Sequence, residues 1–483
     1  MKELITQFKE KGYLLTPDLL KLDVTELNQL LNKLNKKNNI QILDKKFLDN
    51  IKTNTYDKKI IKKGYNTSVE IIKNNQVKKS IPNLQGFVNY YTHRYSSLSQ
   101  ILKSRIELMD SISIGKILEM NDEKNLAMIG VVNKFILTKK DNYLIYLEDP
   151  TGIMKIIITP KSKDAYEQAS ELTEDEIIGV TGSKSGAFFF ANNLFYPDIS
   201  NNQELKKSPD QVNAAFISDI HVGSIDFIEK KFENFIRWTK GLEGNEDQKK
   251  MAKNLGYVLI SGDLVDGVGI YPSQESELTI KDIDKQYEVF TDSIKQIPDN
   301  IQVVIIPGNH DAVRIEEPQP AMLDNSILKP LNSYKNFHLL SNPAQINIHK
   351  TENFSGLNVL MYHGYSYDYY VNEIAKLRNE GGYDKITNTM KFLLKKRNLS
   401  PTHGAVTFLP NNEDNLIIDK VPDVFTSGHV HKADLSMYKH VNLIGSSCFQ
   451  GLTSFQQKLG HSPNPGYIPI LDLSTRKVKI IET

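Results

Sequence analysis

Cysteine is almost missing: Cys448 stands alone among 483 residues. No disulfide can form within the chain, which excludes a cross-linked scaffold and points to a reducing compartment. Long apolar runs are missing as well. None approaches the roughly 18 residues needed to span a bilayer. Met1-Lys2-Glu3-Leu4-Ile5 lacks the apolar core of a secretion signal. No membrane partner is expected, and the protein is expected inside the cell. Net charge is close to absent too, at +1. That balance hides a gradient. Residues 1–110 hold 20 Lys and Arg against 11 Asp and Glu, so the remainder is acidic. A basic first stretch fits contact with nucleic acid, and it equally fits a solvated lysine-rich surface.

What is present changes character along the chain. In the first 48 residues, Thr16-Pro17-Asp18 has the form of a helix start. Leu27, Leu30, Leu31 and Leu34 follow at the spacing of one helical face. A small helical module over 1–48 is expected. Residues 49–82 are rich in Lys and Asn and poor in aromatic residues, so a basic linker is expected over 49–109. Over 110–205 short apolar runs recur, among them Leu126–Val132, Tyr143–Leu147 and Met154–Ile158, with Asp149-Pro150-Thr151-Gly152 as a turn. Several short strands at close spacing predict a small β-barrel. Such barrels bind oligonucleotides, and they also serve as protein docking platforms. From about residue 206 strand-like runs alternate with helical stretches, the pattern of an α/β domain.

In this last part each apolar run ends in Asp, Asn or His. Ala214–Ile217 leads to Asp219 and His221, and Tyr257–Ile260 to Asp263 and Asp266. Val303–Ile306 leads to Asn309-His310-Asp311, Val359–Tyr362 to His363-Gly364, and Val424–Ser427 to Gly428-His429-Val430-His431. Ligand-binding groups gather beyond the carboxyl ends of strands in an open α/β sheet. Imidazole and carboxylate without thiolate suit Mn, Fe or Zn. With Asp219 and Asp263 as the only carboxylates on two divalent ions, net positive charge remains to hold an anionic phosphate.

The ordered set Asp-x-His, Gly-Asp-x-x-Asp, Gly-Asn-His-Asp, His-Gly and Gly-His-x-His resembles the calcineurin-like metallophosphoesterase superfamily. The resemblance implies one metal held by Asp219, His221, Asp263 and His431. It implies a second held by Asp263, Asn309, His363 and His429, with Asp263 bridging. His310 is implied as the catalytic group that stabilises or protonates the reacting phosphate, with Asp311 orienting it. Asp266 is read as a supporting residue. Arg314 is a candidate for binding the substrate phosphate. Tyr362, Tyr365, Tyr367, Tyr369 and Tyr370 are weighed as base-stacking groups against half-buried packing. His403 has no motif and reads as structural.

Over residues 85–475 the chain further resembles the small subunit of archaeal family D DNA polymerase. The matching stretches are Ile217-Ser218-Asp219-Ile220-His221-Val222-Gly223-Ser224, Gly262-Asp263-Leu264-Val265-Asp266-Gly267, Pro307-Gly308-Asn309-His310-Asp311-Ala312-Val313-Arg314 and Tyr362-His363-Gly364-Tyr365-Ser366. That family has an α/β metallophosphoesterase domain (here 206–483), preceded by an all-β oligonucleotide-binding barrel (110–205) and a small helical N-terminal module. The resemblance implies a 3′→5′ exonuclease that uses two divalent ions, most often manganese, with iron or zinc as alternatives. It implies single-stranded and primer-template DNA as substrate, a larger catalytic polymerase subunit as partner in a heterodimer, and a place in the cytoplasm at the nucleoid. The alternative function is a non-catalytic scaffold that docks the large subunit. A stand-alone repair nuclease or a small-molecule phosphodiesterase would have less use for the barrel.

Overall fold

A computed structural model of the chain describes residues 2–11, 13–17, 19, 27, 31, 41–43, 67–75, 83–323, 326–459 and 462–483. The chain divides into two compact units, 1–62 and 63–483. The first has a helix, Lys2–Glu10, and two short parallel strands, β1 (Tyr13–Leu15) and β2 (Gln41–Leu43). Phe8, Tyr13, Leu19, Leu27, Leu31 and Leu43 form its core. The expectation of a purely helical module is therefore corrected. Runs of three residues are too short for periodicity to reveal them, and only pairing makes them strands. Leu30, Leu34 and Asp18 lie outside the described residues.

The expected linker over 49–109 is corrected too. Val69–Asn74 forms β3, an edge strand antiparallel to β13 (Ala344–Ile348). Its Val and Ile residues supply the strand preference that the Lys/Asn-rich window masked. Leu84–Lys103 is a helix capped by Asn83, whose side chain accepts from the Gly86 amide at 2.8 Å. Its buried Leu98 and Leu102 pack with Ile129 and Ile177. Arg94 pins it from the other side, reaching Asp414 Oδ2 at 2.6 Å and the Pro401 and Ser400 carbonyls.

Five strands then close into a barrel: β4 (Glu123–Leu137), β5 (Tyr143–Asp149), β6 (Gly152–Ile158), β7 (Ile177–Ser185) and β8 (Phe188–Phe195). Their order around it is β4-β5-β6-β8-β7, and β4 pairs with β7. Alternate residues of each strand, such as Ile145, Leu147, Met154 and Ile156, point inward. The Asp149 side chain ties the β5–β6 turn by accepting from the Thr151 and Gly152 amides.

The remainder is a sandwich of two six-stranded sheets. The first runs β12 (Phe337–Leu339), β11 (Gln302–Ile306), β10 (Leu255–Ser261), β9 (Asn213–Ile217), β18 (Tyr467–Asp472), β19 (Val478–Glu482). The second runs β16 (Asp434–Tyr438), β17 (Val441–Gly445), β15 (Val424–Ser427), β14 (Leu357–Tyr362), β13, β3. The period of two sorts the side chains. Phe216, Leu259, Val304, Val359 and Met361 meet between the sheets. Ile217, Ile260 and Ile305 face outward onto the helices Glu229–Thr239 and Ile283–Ile294. Leu360, Tyr362 and Phe425 face outward onto Tyr367–Glu373 and Ile386–Lys396. Strands buried on both faces read as continuous apolar runs, which is why periodicity cannot divide them between two sheets. The expected α/β domain is thus built on two facing sheets. No helix of the described residues is long and apolar enough to cross a membrane.

Charged contacts join the barrel to the second sheet's helices. Glu171 meets Lys376 at 2.6 Å and also pairs with Lys395. Glu176 pairs with Lys396, both only 2% exposed. Lys396 lies 3.6 Å over the Tyr196 ring. Burial pushes both partners toward neutrality, Glu176 upward and Lys396 down to about 8. Removing one member leaves the other buried and uncompensated. Glu176→Ala should therefore lower stability by roughly 3–5 kcal/mol in urea unfolding. A loss under about 1 kcal/mol would mean that water reaches the pair.

Candidate metal centre

The parallel neighbours β9, β10 and β11 end side by side, as do β14 and β15 in the facing sheet. Their carboxyl ends lie at one edge of the sandwich, so five loops meet there. Turning from a strand into the cleft within one or two residues demands unusual backbone. Asp219, His221, Asp263, His429 and His431 all adopt positive φ, between +51° and +74°. Asp and His tolerate this region better than branched residues, at a cost of order 1–3 kcal/mol each. Glycines make the room. A Cβ on Gly308 would lie 2.2 Å from Asp263 Oδ1, and one on Gly428 would lie 2.6 Å from Asp219 Oδ2.

Among the described residues the donor atoms converge in three overlapping groups. Asp219, His221 and His431 form one, Asp219, Asp263 and His363 a second, and His221, Asp266 and His310 a third; within each group the ligand atoms lie inside 4.8 Å of one another. His221 Nε2 is 3.1 Å from His431 Nε2, and His431 Nε2 is 3.4 Å from Asp219 Oδ1. Asp263 Oδ2 stands between the first two groups, 3.7 Å from His221 Nε2 and 3.3 Å from His363 Nε2. Asn309 Oδ1 lies 2.9 Å from His363 Nε2. Atoms that ring an ion at about 2.0–2.2 Å are separated by such distances. Burial would raise the Asp263 carboxyl, but His363, His310 and His221 outweigh it and hold it well below the ordinary range.

Hydrogen bonds behind the imidazoles set their tautomers. Nδ1 of His221 meets Asp266 Oδ1 at 3.0 Å. Asp266 is itself held by Gln274 at 2.9 Å and Gln450 at 3.0 Å. His363 gives Nδ1 to the Ser261 carbonyl at 2.7 Å. Both rings therefore direct Nε2 at the centre. On the far side of His431, Nδ1 meets the Gln456 side chain at 2.9 Å. His429 is different: its Nε2 is 3.0 Å from Asp368 Oδ2, and its ring stands edge-on to His363 at 5.2 Å. Sequence reasoning missed Asp368, Gln274, Gln450 and Gln456. None belongs to a motif, and Asp368 sits in the tyrosine-rich segment, where the aromatics drew the reading.

His310 lines the same cleft. Its Nδ1 lies 2.7 Å from the Asp266 carbonyl, and its ring is edge-on to His221 at 4.7 Å. Burial, the largest effect on it, lowers its pKa. Asp311 departs from its expected part. Its carboxylate accepts from the Gly308 amide at 2.8 Å, the Leu264 amide at 3.3 Å and the Tyr287 hydroxyl at 3.1 Å. It braces two ligand loops instead of orienting His310, because neighbouring residues of a tight loop project to opposite sides. Burial, then the nearby Asp263, pushes its carboxyl up to about 7. Arg314 is turned to the Pro318 carbonyl at 2.6 Å and does not line the cleft. Tyr362, Tyr367 and Tyr370 are fully buried and closed to stacking, whereas Tyr365 and Tyr369 are partly exposed. His403 pairs with the Tyr91 hydroxyl at 2.8 Å. The cleft holds about 570 Å³, walled by Tyr271, Pro272, Asn372, Tyr383 and Val430.

The comparisons agree with this geometry. Residues 212–433 match the model of the calcineurin-like phosphoesterase family, a class that works with divalent metals. The donors fit such ions: imidazole nitrogens and carboxylate oxygens face common points, with their outer atoms already bonded. Over longer stretches the chain is similar to proteins named DNA polymerase II small subunit. That of Methanothermobacter thermautotrophicus is 38% identical over 392 residues, which cover 81% of this chain and 78% of the relative. That of Archaeoglobus fulgidus is 38% identical, covering 80% and 75%. That of Halobacterium salinarum is 35% identical, covering 82% and 74%. The chain belongs to this family, the small subunits of archaeal family D DNA polymerase.

The crowding at Gly308 gives a direct check. Gly308→Ala should push the Asp263 carboxylate off its position and sharply reduce bound manganese measured by calorimetry, with the fold intact by circular dichroism. Unchanged binding would count against this corner of the cleft, Asp263 and His363 together, as the place where the ions are held.

Proposed function

We propose that this chain is a two-metal 3′→5′ exonuclease that hydrolyses DNA phosphodiester bonds and proofreads for a separate, larger polymerase subunit. The observation that carries the reading is His310. Its half-buried ring stands against His221, its amide donates to Asp263, and Nδ1 is anchored on the Asp266 carbonyl. With Nδ1 as donor, Nε2 is the atom left for a phosphate in the cleft.

Asp219, His221, Asp263 and His431 would hold one ion; Asp263, Asn309, His363 and His429 would hold the other. Two divalent ions, manganese foremost and iron or zinc as alternatives, supply positive charge that polarises the phosphate and lowers the pKa of water. Asp263 keeps the two halves in register through its single shared oxygen. As an imidazolium, the form that the neighbouring Asp263 and Asp266 favour against burial, His310 would donate Nε2–H to the phosphate and pass that proton to the leaving 3′ oxygen. Asp266 serves two groups at once, through its carboxylate to His221 and through its carbonyl to His310. Asp311 holds the Gly308 and Leu264 loops at their spacing. The walls of Tyr271, Pro272 and Tyr383 exclude bulk water around the terminal nucleotide. The barrel and the basic first 110 residues are the candidate surfaces for single-stranded and primer-template DNA and for the large subunit.

The test uses the full chain, alone and with its large subunit, manganese, and single-stranded DNA labelled at the 5′ end. A ladder shortening from the 3′ end is expected. His310→Ala should slow it by about 10²–10⁴-fold, with manganese binding preserved. Absence of cleavage in both preparations, with metal bound, would overturn the exonuclease reading and leave a docking scaffold.

A further inference from the structure

We propose that Asp368 is a positioning residue for the second metal ion: it takes Nε2 of His429, so that this histidine presents Nδ1 while His221 and His363 present Nε2. The inference rests on the two-metal reading above and extends it to a residue outside every motif.

The argument begins with the helix Tyr367–Glu373, which starts four residues after His363. Tyr367, Tyr370 and Val371 are buried against the second sheet's outer core. Asp368 and Asn372, one turn apart, are thereby left on the other side, and both line the cleft. Asp368 Oδ2 lies 3.0 Å from His429 Nε2, and the Tyr383 hydroxyl also bonds to this carboxylate. An ionised carboxylate only accepts hydrogen bonds. The His429 proton therefore sits on Nε2, and Nδ1 keeps the lone pair that a metal needs.

Backbone geometry closes off the alternative. The His429 amide donates to both Asp219 oxygens, at 3.1 and 2.9 Å, with φ at +74°. The ring is edge-on to His363 at 5.2 Å and to Tyr365 at 5.7 Å. With the main chain pinned and rings on two sides, turning the imidazole over would forfeit the Asp368 contact. The segment bearing Asp368 is equally fixed: Ser366 Oγ donates to the Leu399 carbonyl at 2.7 Å, and its amide donates to the Tyr362 hydroxyl at 3.2 Å. One short segment thus supplies His363 directly and orients His429 through Asp368. The first ion has the parallel arrangement in Asp266 behind His221. Carboxylates in this position fix ring orientation and raise the basicity of the ligand nitrogen.

Asp368 is 49% exposed at its side chain, so an exposed pair of this kind adds little to folding, and its removal should act on the metal and not on the fold. The experiment is calorimetric titration of manganese into the full chain stripped of metal, with electron paramagnetic resonance to separate isolated from paired ions. The wild type is expected to bind two ions. Asp368→Ala should weaken one of them by about 10–100-fold, leave the other within about twofold, and leave the melting temperature unchanged. Asp368→Asn retains an acceptor oxygen and should lose less. Nuclease activity of Asp368→Ala should return at high manganese. Unchanged isotherms in Asp368→Ala, or equal weakening of both ions, would overturn the assignment. A wild-type chain that binds fewer than two ions would instead defeat the two-metal reading on which it rests.

Discussion

The Oδ2 atom of Asp263 faces His221 on one side and His363 on the other, and the rest of the site is arranged around that shared oxygen. His221 follows a strand of the first sheet and His363 a strand of the second. A single buried carboxylate can serve both only if the two sheets keep their spacing to within a few tenths of an ångström. The apolar layer between the sheets, with Phe216, Leu259, Val304, Val359 and Met361, sets that spacing. Close packing of this kind does not yield continuously, so the core functions as a ruler for the donors.

The same constraint explains why so much of the local backbone is costly. Five candidate ligands lie at positive φ, and two glycines sit where a methyl group would strike a carboxylate. These conformations persist because the bonds behind them over-determine the geometry. Asp311 receives the Gly308 and Leu264 amides, Asp219 receives the His429 amide, and Ser261 receives His363. The site's strain is offset by the sandwich beneath it, a division of labour common to sites built on rigid strand ends.

Beyond the sandwich, the barrel is joined through ion pairs, among them the buried Glu176–Lys396 pair. A buried pair is weak evidence for added stability but is demanding in register. Through it the barrel keeps one orientation relative to the helix Ile386–Lys396, whose apolar side packs on the sheet that carries His363 and His429.

The candidate donors were legible because each is local to a strand end: an apolar run of four or five residues followed at once by Asp, Asn or His. The order of those motifs pointed to the family, and the resemblance in turn made Asp263 the bridging candidate. The tertiary structure decided what depends on partners distant in sequence. It divided the apolar runs between two sheets, drew Val69–Asn74 out of an apparent linker as an edge strand, and placed parallel strands in the N-terminal unit. It also turned Asp311 away from His310 and Arg314 away from the cleft, and brought Asp368 to His429. Residue type and short-range spacing are written in the chain. Side-chain direction depends on φ, on packing and on which carbonyl lies opposite, and those are settled only when the sheets close on one another.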